Sequence, residues 1–209
     1  MNEAKTMPLV AILRGITTDE VDTHIPLLIE AGFRTIEIPL NSPEWEKSIA
    51  RAVKNYGKQA TIGAGTVLDV ESVNRLAKIG CRLIVTPNTN PEVIRQALYH
   101  QMQVLPGCAT ATEAFSAIAA GALQIKLFPA NQFGPGYVQA LRSVLPLHIA
   151  VYAVGGITPD SLPHYLKAGC AGVGLGSDLY KAGQSPEQTR ERARAFIASY
   201  QSFAAAHYA

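Results

Sequence analysis

Ala31-Gly32-Phe33-Arg34-Thr35-Ile36-Glu37-Ile38-Pro39 reads as a single join, a helix ending on a glycine and then a short β-rich run. Gly32 stands where a helix needs a left-handed C-cap residue, a conformation glycine adopts without a Cβ clash. The same join recurs at Ile79-Gly80-Cys81, Ala120-Gly121-Ala122 and Ala168-Gly169-Cys170, each just ahead of another β-rich run. Eight such runs lie at 9–13, 35–39, 61–64, 83–86, 104–106, 124–128, 149–154 and 172–175. Their spacing of about 20 to 26 residues suits strand-helix units with short loops. Several are apolar nearly throughout, as strands covered on both faces require.

Helix starts carry matching signals. Thr17-Thr18-Asp19-Glu20 and Thr110-Ala111-Thr112-Glu113 read as capping boxes. Ser42-Pro43, Asn90-Pro91, Thr158-Pro159 and Ser185-Pro186 each place an N-cap residue before a proline at the first helical position. Eight units with no linker or composition shift predict one α/β domain over residues 1–209, a (β/α)8 TIM barrel. An open doubly wound sheet is the runner-up, weakened because no G-x-G-x-x-G fingerprint follows the first strand. The last helix is expected from Ser185 to about Tyr200, with Gln201 to Ala209 as a tail.

Composition narrows the function classes. A chain of 209 residues can bury a substantial core, and 48% hydrophobic against 16% charged residues places the charge on outward helix faces. A formal charge of +2 gives no reason to expect a nucleic acid or an anionic membrane surface. Cys81, Cys108 and Cys170 are odd in number and widely spaced, which argues for reduced thiols in a cytoplasm and against disulfides or a zinc site. The stretch Met1 to Pro8 lacks the order of a signal peptide, and no run approaches a membrane span. The expectation is a soluble cytoplasmic protein.

Lys126 is the one lysine of eight inside a strand-like apolar run, Gln124-Ile125-Lys126-Leu127-Phe128-Pro129. Alternation sends its ammonium inward, where desolvation disfavours the charge. Such a site suits a neutral amine acting as a nucleophile, as in Schiff-base chemistry. The alternative is a lysine snorkelling to solvent from a strand end.

In a barrel, chemistry gathers at the C-terminal strand ends. Those ends read Arg14, Glu37, Thr66, Thr86 with Asn88, Gly107, Lys126, Gly155-Gly156 and Gly176-Ser177. Glu37 alternates against Ile36 and Ile38 and so faces the barrel axis; it can shuttle protons beside Lys126 or merely form a buried ion pair with it. Arg14 suits bidentate binding of a substrate carboxylate, or a rim salt bridge to a loop. Paired glycine turns after strands seven and eight point to a phosphate site built from backbone amides and Ser177, since neither turn contains a lysine or arginine. The five histidines are scattered without an i,i+4 pair, which disfavours a metal. Trp45 and Phe128 read as packing residues, and Cys108 has no histidine in register to activate it.

At these residues the chain resembles the class I aldolases of 2-keto-3-deoxy-6-phosphosugar acids. The resemblance covers nearly the whole chain. Its motifs are Ala11-Ile12-Leu13-Arg14-Gly15, Ile36-Glu37-Ile38, Gly63-Ala64-Gly65-Thr66-Val67, Pro106-Gly107-Cys108-Ala109-Thr110, Ile125-Lys126-Leu127-Phe128-Pro129 and Val154-Gly155-Gly156-Ile157. The phosphogluconate-derived branch usually has threonine before Gly-Gly and a Thr-Leu-Arg-Thr-like stretch after the strand-two glutamate. Here Val154 and Ile38-Pro39-Leu40-Asn41-Ser42-Pro43 stand in those places, as in the branch acting on the C4 epimer, 2-dehydro-3-deoxy-6-phosphogalactonate. A methyl in place of a hydroxyl at the aldehyde-binding wall removes a hydrogen bond that would orient one face, though the change can also relax selectivity.

The resemblance implies roles. Lys126 forms the imine and Glu37 is the acid/base. Arg14 and Thr66 hold the carboxylate of pyruvate. Gly155, Gly156, Gly176 and Ser177 receive the phosphate, and Val154 bears on stereoselectivity. It further implies cleavage to pyruvate and D-glyceraldehyde 3-phosphate in galactonate catabolism, a homotrimer, and no metal or organic cofactor. Competing expectations are a gluconate-specific or dual-specificity aldolase, and a phosphate-ligand-binding barrel without catalysis. A barrel isomerase or decarboxylase lacks support, because no Asp-x-Lys-x-x-Asp motif or metal-ligand histidines are present.

Overall fold

Gly32, Gly80, Gly121 and Gly169 adopt φ of 118°, 80°, 103° and 102°, the left-handed values their positions demand. At the first of these joins the Gly32 and Phe33 N–H groups both return to Leu28 O, closing the helix and turning the chain into the next strand. The computed structural model describes residues 7–207, and this join organises all of it.

The first half runs β1 (Leu9–Ile12), α1 (Val21–Ala31), β2 (Thr35–Pro39), α2 (Trp45–Tyr56), β3 (Thr61–Gly65), α3 (Val70–Lys78), β4 (Leu83–Val85) and α4 (Pro91–Tyr99). The second runs β5 (Gln103–Leu105), β6 (Gly107–Cys108), α5 (Ala111–Ala119), β7 (Gln124–Leu127), α6 (Ala130–Arg142), β8 (Ala150–Val154), α7 (Leu162–Lys167), β9 (Gly172–Leu175) and α8 (Pro186–His207). Every strand pair is parallel, in the order β5-β4-β3-β2-β1-β9-β8-β7-β6.

The nine strands among the described residues are the eight expected from the sequence. β5 and β6 are halves of one strand broken at Pro106, which has no N–H to give to a ladder. Its first half pairs with β4 and its second with β7, so the ring closes. Pro106 still contributes its carbonyl, accepting from Lys126 N–H at 2.8 Å. The result is a (β/α)8 barrel.

The main core lies between the barrel's outer face and the helices, where Ile36, Ile38, Ile125 and Leu127 are fully buried. A smaller apolar cluster of Leu83, Val85 and Leu105, with Tyr152 against it, forms separately.

Helix starts match less well than helix ends. The Thr110 box is complete, and Asn90 and Ser185 cap as expected. Thr17 and Glu20 do bond to each other, but as a turn ahead of α1, which begins at Val21. Ser42 is not an N-cap, because its hydroxyl is taken by Gly15 N–H at 2.9 Å. Thr158 closes a turn with Ser161, and α7 begins only at Leu162. The expected tail is a second correction. α8 continues to His207 because Phe203, one helical stripe on from Phe196, is buried in the core. Positions 208 and 209, and residues 1–6 of the N-terminal stretch read for targeting signals, lie outside the described residues. Among the described residues no helix is long and apolar enough to cross a membrane.

Candidate active site

Strand alternation decides which side chains meet at the barrel axis. Ile125 and Leu127 turn outward to the helices, so Lys126 turns inward and is only 6% exposed. Ile36 and Ile38 do the same for Glu37, which is 2% exposed. Space for the carboxylate comes from Gly65, where a Cβ would overlap it. Nothing in the Gly63-Ala64-Gly65-Thr66-Val67 motif itself announces that job.

Lys126 and Glu37 are not a structural ion pair. Among the described residues no carboxylate lies within 4.0 Å of Lys126 Nζ, which sits instead 5.0 Å from the centre of the Phe128 ring. Glu37 Oε2 is buried with no hydrogen-bond partner among the described residues. A buried carboxyl oxygen with no protein partner is free to meet a substrate group.

Electrostatics push both groups toward neutrality. Burial raises the Glu37 carboxyl, and the nearby Lys126 and Arg14 charges only partly pull it back. Burial likewise lowers the Lys126 amine; Glu37 opposes that shift and the Arg14 charge adds to it. A lysine that sheds its proton early suits a nucleophile, and a carboxyl that keeps one late suits a proton carrier.

Arg14 stands beyond the end of β1. Its guanidinium donates to Asn41 Oδ1 at 2.6 Å and reaches Thr66 Oγ1 at 3.5 Å, the limit of a hydrogen bond. Its partners are neutral, and no carboxylate of the described residues pairs with it, so its charge stays available for an anion. Thr66 adopts φ of 56°, a strained setting for a β-branched residue and one that clusters at ligand sites. Asn41 was passed over in the sequence, where it read only as part of a branch-specific loop. Thr86 and Asn88 serve that rim internally, with Thr86 Oγ1 donating to Asn88 O and accepting from Gly107 N–H.

A cavity of about 620 Å³ opens at these strand ends. Arg14, Thr66, Val154, Gly155, Gly156, Gly176 and Ser177 all line it. Gly155 and Gly156 have φ of 107° and 65°, so the turn exposes backbone that side chains would cover. Because α7 starts late, the amides here belong to the glycine turn and not to the first turn of a long helix.

Phe128, Tyr180 and Lys181 also form part of the wall, with Ile12, Pro87 and Ala182. Phe128, expected as packing, lines the cavity and roofs Lys126. Tyr180 and Lys181 come from the long loop after β9, and Lys181 adds a cation that no glycine motif announces. Trp45 does pack, with Arg75 stacked over its ring at 4.9 Å.

Other groups play no part. Burial pushes the thiols of Cys81, Cys108 and Cys170 up to about 11, 12 and 12, so none is a ready thiolate. Among the described residues no group of three or more His, Cys, Asp or Glu could hold a metal ion. A polar depression of about 480 Å³ with Arg34, Lys58 and Arg82 lies at the opposite mouth, at the N-terminal strand ends, away from Lys126.

A closed parallel barrel with convergent, pKa-shifted side chains at its C-terminal mouth defines a barrel enzyme. Comparison with known proteins gives the family. The model for the KDPG and KHG aldolases matches residues 1–193, and the chain belongs to that family. It is therefore an aldolase, a carbon–carbon lyase. The chain is 59% identical over 194 residues to the 2-dehydro-3-deoxy-6-phosphogalactonate aldolase of Escherichia coli K12, covering 93% of this chain and 95% of the relative. A solved structure described as native KDPGal superposes with a TM-score of 0.95 at 56% identity, covering 98% of this chain and all of the other. A cube-shaped cage designed by fusing symmetric oligomeric domains contains a similar chain, with a TM-score of 0.96, 56% identity, and coverage of 98% of this chain and 76% of that one.

Proposed function

We propose that the enzyme reversibly cleaves 2-dehydro-3-deoxy-6-phospho-D-galactonate to pyruvate and D-glyceraldehyde 3-phosphate through an imine at Lys126. The observation that carries this reading is a buried lysine with no ion-pair partner among the described residues, lowered by burial, in the field of a buried carboxyl raised by burial.

The neutral Lys126 amine attacks the C2 ketone, and Glu37 relays the protons that turn the carbinolamine into iminium and water. The iminium then withdraws the C3–C4 bonding pair. As that bond breaks, Glu37 takes the C4 hydroxyl proton, the aldehyde departs, and the pair remains as an enamine. Protonation at C3 gives the pyruvate iminium, and water releases pyruvate and the free amine. A group that gives and takes protons in turn works best near the operating pH, which is where burial drives Glu37.

Arg14 and Thr66 hold the carboxylate at the pyruvate end. The turns at Gly155-Gly156 and Gly176-Ser177, with Lys181, receive the phosphate. Val154 also lines the cavity, and its side chain has only methyl groups to offer a substrate hydroxyl. The sequence departures at Val154 and 38–43, and the identity to the galactonate aldolase, support the galactonate epimer. Comparing turnover of the two C4 epimers tests the assignment: preference for the galactonate epimer is expected, and a clear preference for the gluconate epimer overturns it.

The same reading places the enzyme in galactonate catabolism, in the cytoplasm and as a homotrimer. Three free, buried cysteines suit a reducing compartment. Oligomerisation is supported by the cage of symmetric oligomeric domains and by apolar side chains left on the surface, such as Tyr99, Leu123 and Leu147.

A further inference from the structure

The far wall of the cavity is built on the loop 176–185 between β9 and α8, which contributes Ser177, Tyr180, Lys181 and Ala182. One side chain braces that loop from behind. Gln184 Oε1 accepts from Lys181 N–H at 3.0 Å and from Arg192 at 3.2 Å. Its Nε2 donates to Leu179 O at 3.0 Å and to Thr189 Oγ1 at 2.7 Å. Both lone pairs and both N–H groups of the amide are thereby used. Arg192 extends the brace by donating to Ser177 O at 3.1 Å.

The brace is anchored in the core. Thr189 is fully buried, with its hydroxyl 2.8 Å from His24 Nδ1 of α1. Tyr180 packs edge-on against the same imidazole, ring centres 5.1 Å apart. The loop is thus tied to α8 through Gln184 and Arg192, and to α1 through His24.

We propose that Gln184 is a positioning residue for the phosphate end of the site. It touches no substrate; it fixes how far Ser177 and Lys181 stand from Lys126, and so sets affinity for the phosphorylated tail. The inference rests on the reading above that a phosphate binds this wall. An alanine at 184 removes all four of these bonds at once and leaves the Lys181 N–H and the Leu179 carbonyl to water, so the loop is no longer tied to Thr189 and Arg192 and its wall is free to shift.

The test is kinetic, on the full-length protein. Gln184→Ala is expected to raise KM for the phosphorylated 2-keto acid on the order of tenfold, the cost of one misplaced binding group, with kcat little changed. Kinetics on the unphosphorylated counterpart and the rate of imine trapping with pyruvate should stay at wild-type levels. An equal loss on both substrates, or no change on either, overturns the inference. If Gln184→Ala does not fold, Arg192→Ala removes only the outer part of the brace and must show the same split, smaller in size; its absence is equally decisive. A wild-type enzyme that does not turn over the phosphorylated acid refutes the functional reading itself, whereas normal wild-type turnover with unsplit variants refutes only the role of Gln184.

Discussion

Glu37 holds a buried carboxyl that the fold alone would not choose. Its folded-state pKa is raised, so the folded protein binds its proton more tightly than the unfolded chain does. Stability from this group is present below the unfolded carboxyl value, about 4.3, and is lost as pH rises through the raised folded value. Glu37→Gln removes the charge and keeps the shape. The variant should therefore melt above wild type at neutral and alkaline pH, with the gap closing as pH falls below that unfolded value. Its turnover should drop by about two to four orders of magnitude, as for loss of a general acid/base. Thermal melts across pH and steady-state rates check both parts; a variant less stable than wild type at alkaline pH contradicts the account. At this scale the sequence was informative for residues that break a pattern. Lys126 and Glu37 each interrupt an apolar alternation, and their inward, buried placement was legible from that. Asn41, Tyr180 and Lys181 sit in ordinary polar loops, and nothing local marks them as neighbours of Arg14 or of the glycine turns.

Among the elements, the helix ends were legible and the helix starts only partly so. A left-handed C-cap is a property of one residue's backbone, so each glycine declared its own position. An N-cap is a competition for a side-chain oxygen, and tertiary partners can win it. Gly15 N–H took Ser42 and a local turn took Thr158, which delayed α2 and α7. The end of α8 was missed for a related reason: Phe203 continues a buried stripe that the tail's alanine-rich composition obscured. Gly169 offers a clean test of the cap rule. A Cβ there meets nothing nearer than Arg142 Cγ at 3.5 Å, ordinary contact, so only its φ of 102° resists substitution. Gly169→Ala should cost about 1–2 kcal/mol in denaturant-measured stability and leave the kinetic constants alone. A stability unchanged within error contradicts that reading of the join.

For the whole molecule, the barrel turns residues far apart in sequence into one mouth. Arg14, Glu37, Thr66, Lys126 and the two glycine turns are spread over more than 160 positions, yet each lies at or near the C-terminal end of a strand. A strand count and an alternation pattern suffice to gather these residues at one mouth. What they could not supply is how the rim is held, because Asn41 on Arg14 and Gln184 beneath the loop 176–185 are loop-to-loop contacts with no periodicity. The central claim is that this mouth exists to make Lys126 a nucleophile. Incubation with pyruvate and borohydride, followed by peptide mass spectrometry, tests it most directly. The account predicts one reduced pyruvyl adduct, on the peptide containing Lys126, formed faster as pH rises through the lowered lysine value and abolished in Lys126→Met. No adduct, or an adduct on another lysine with Lys126 unmodified, would contradict it.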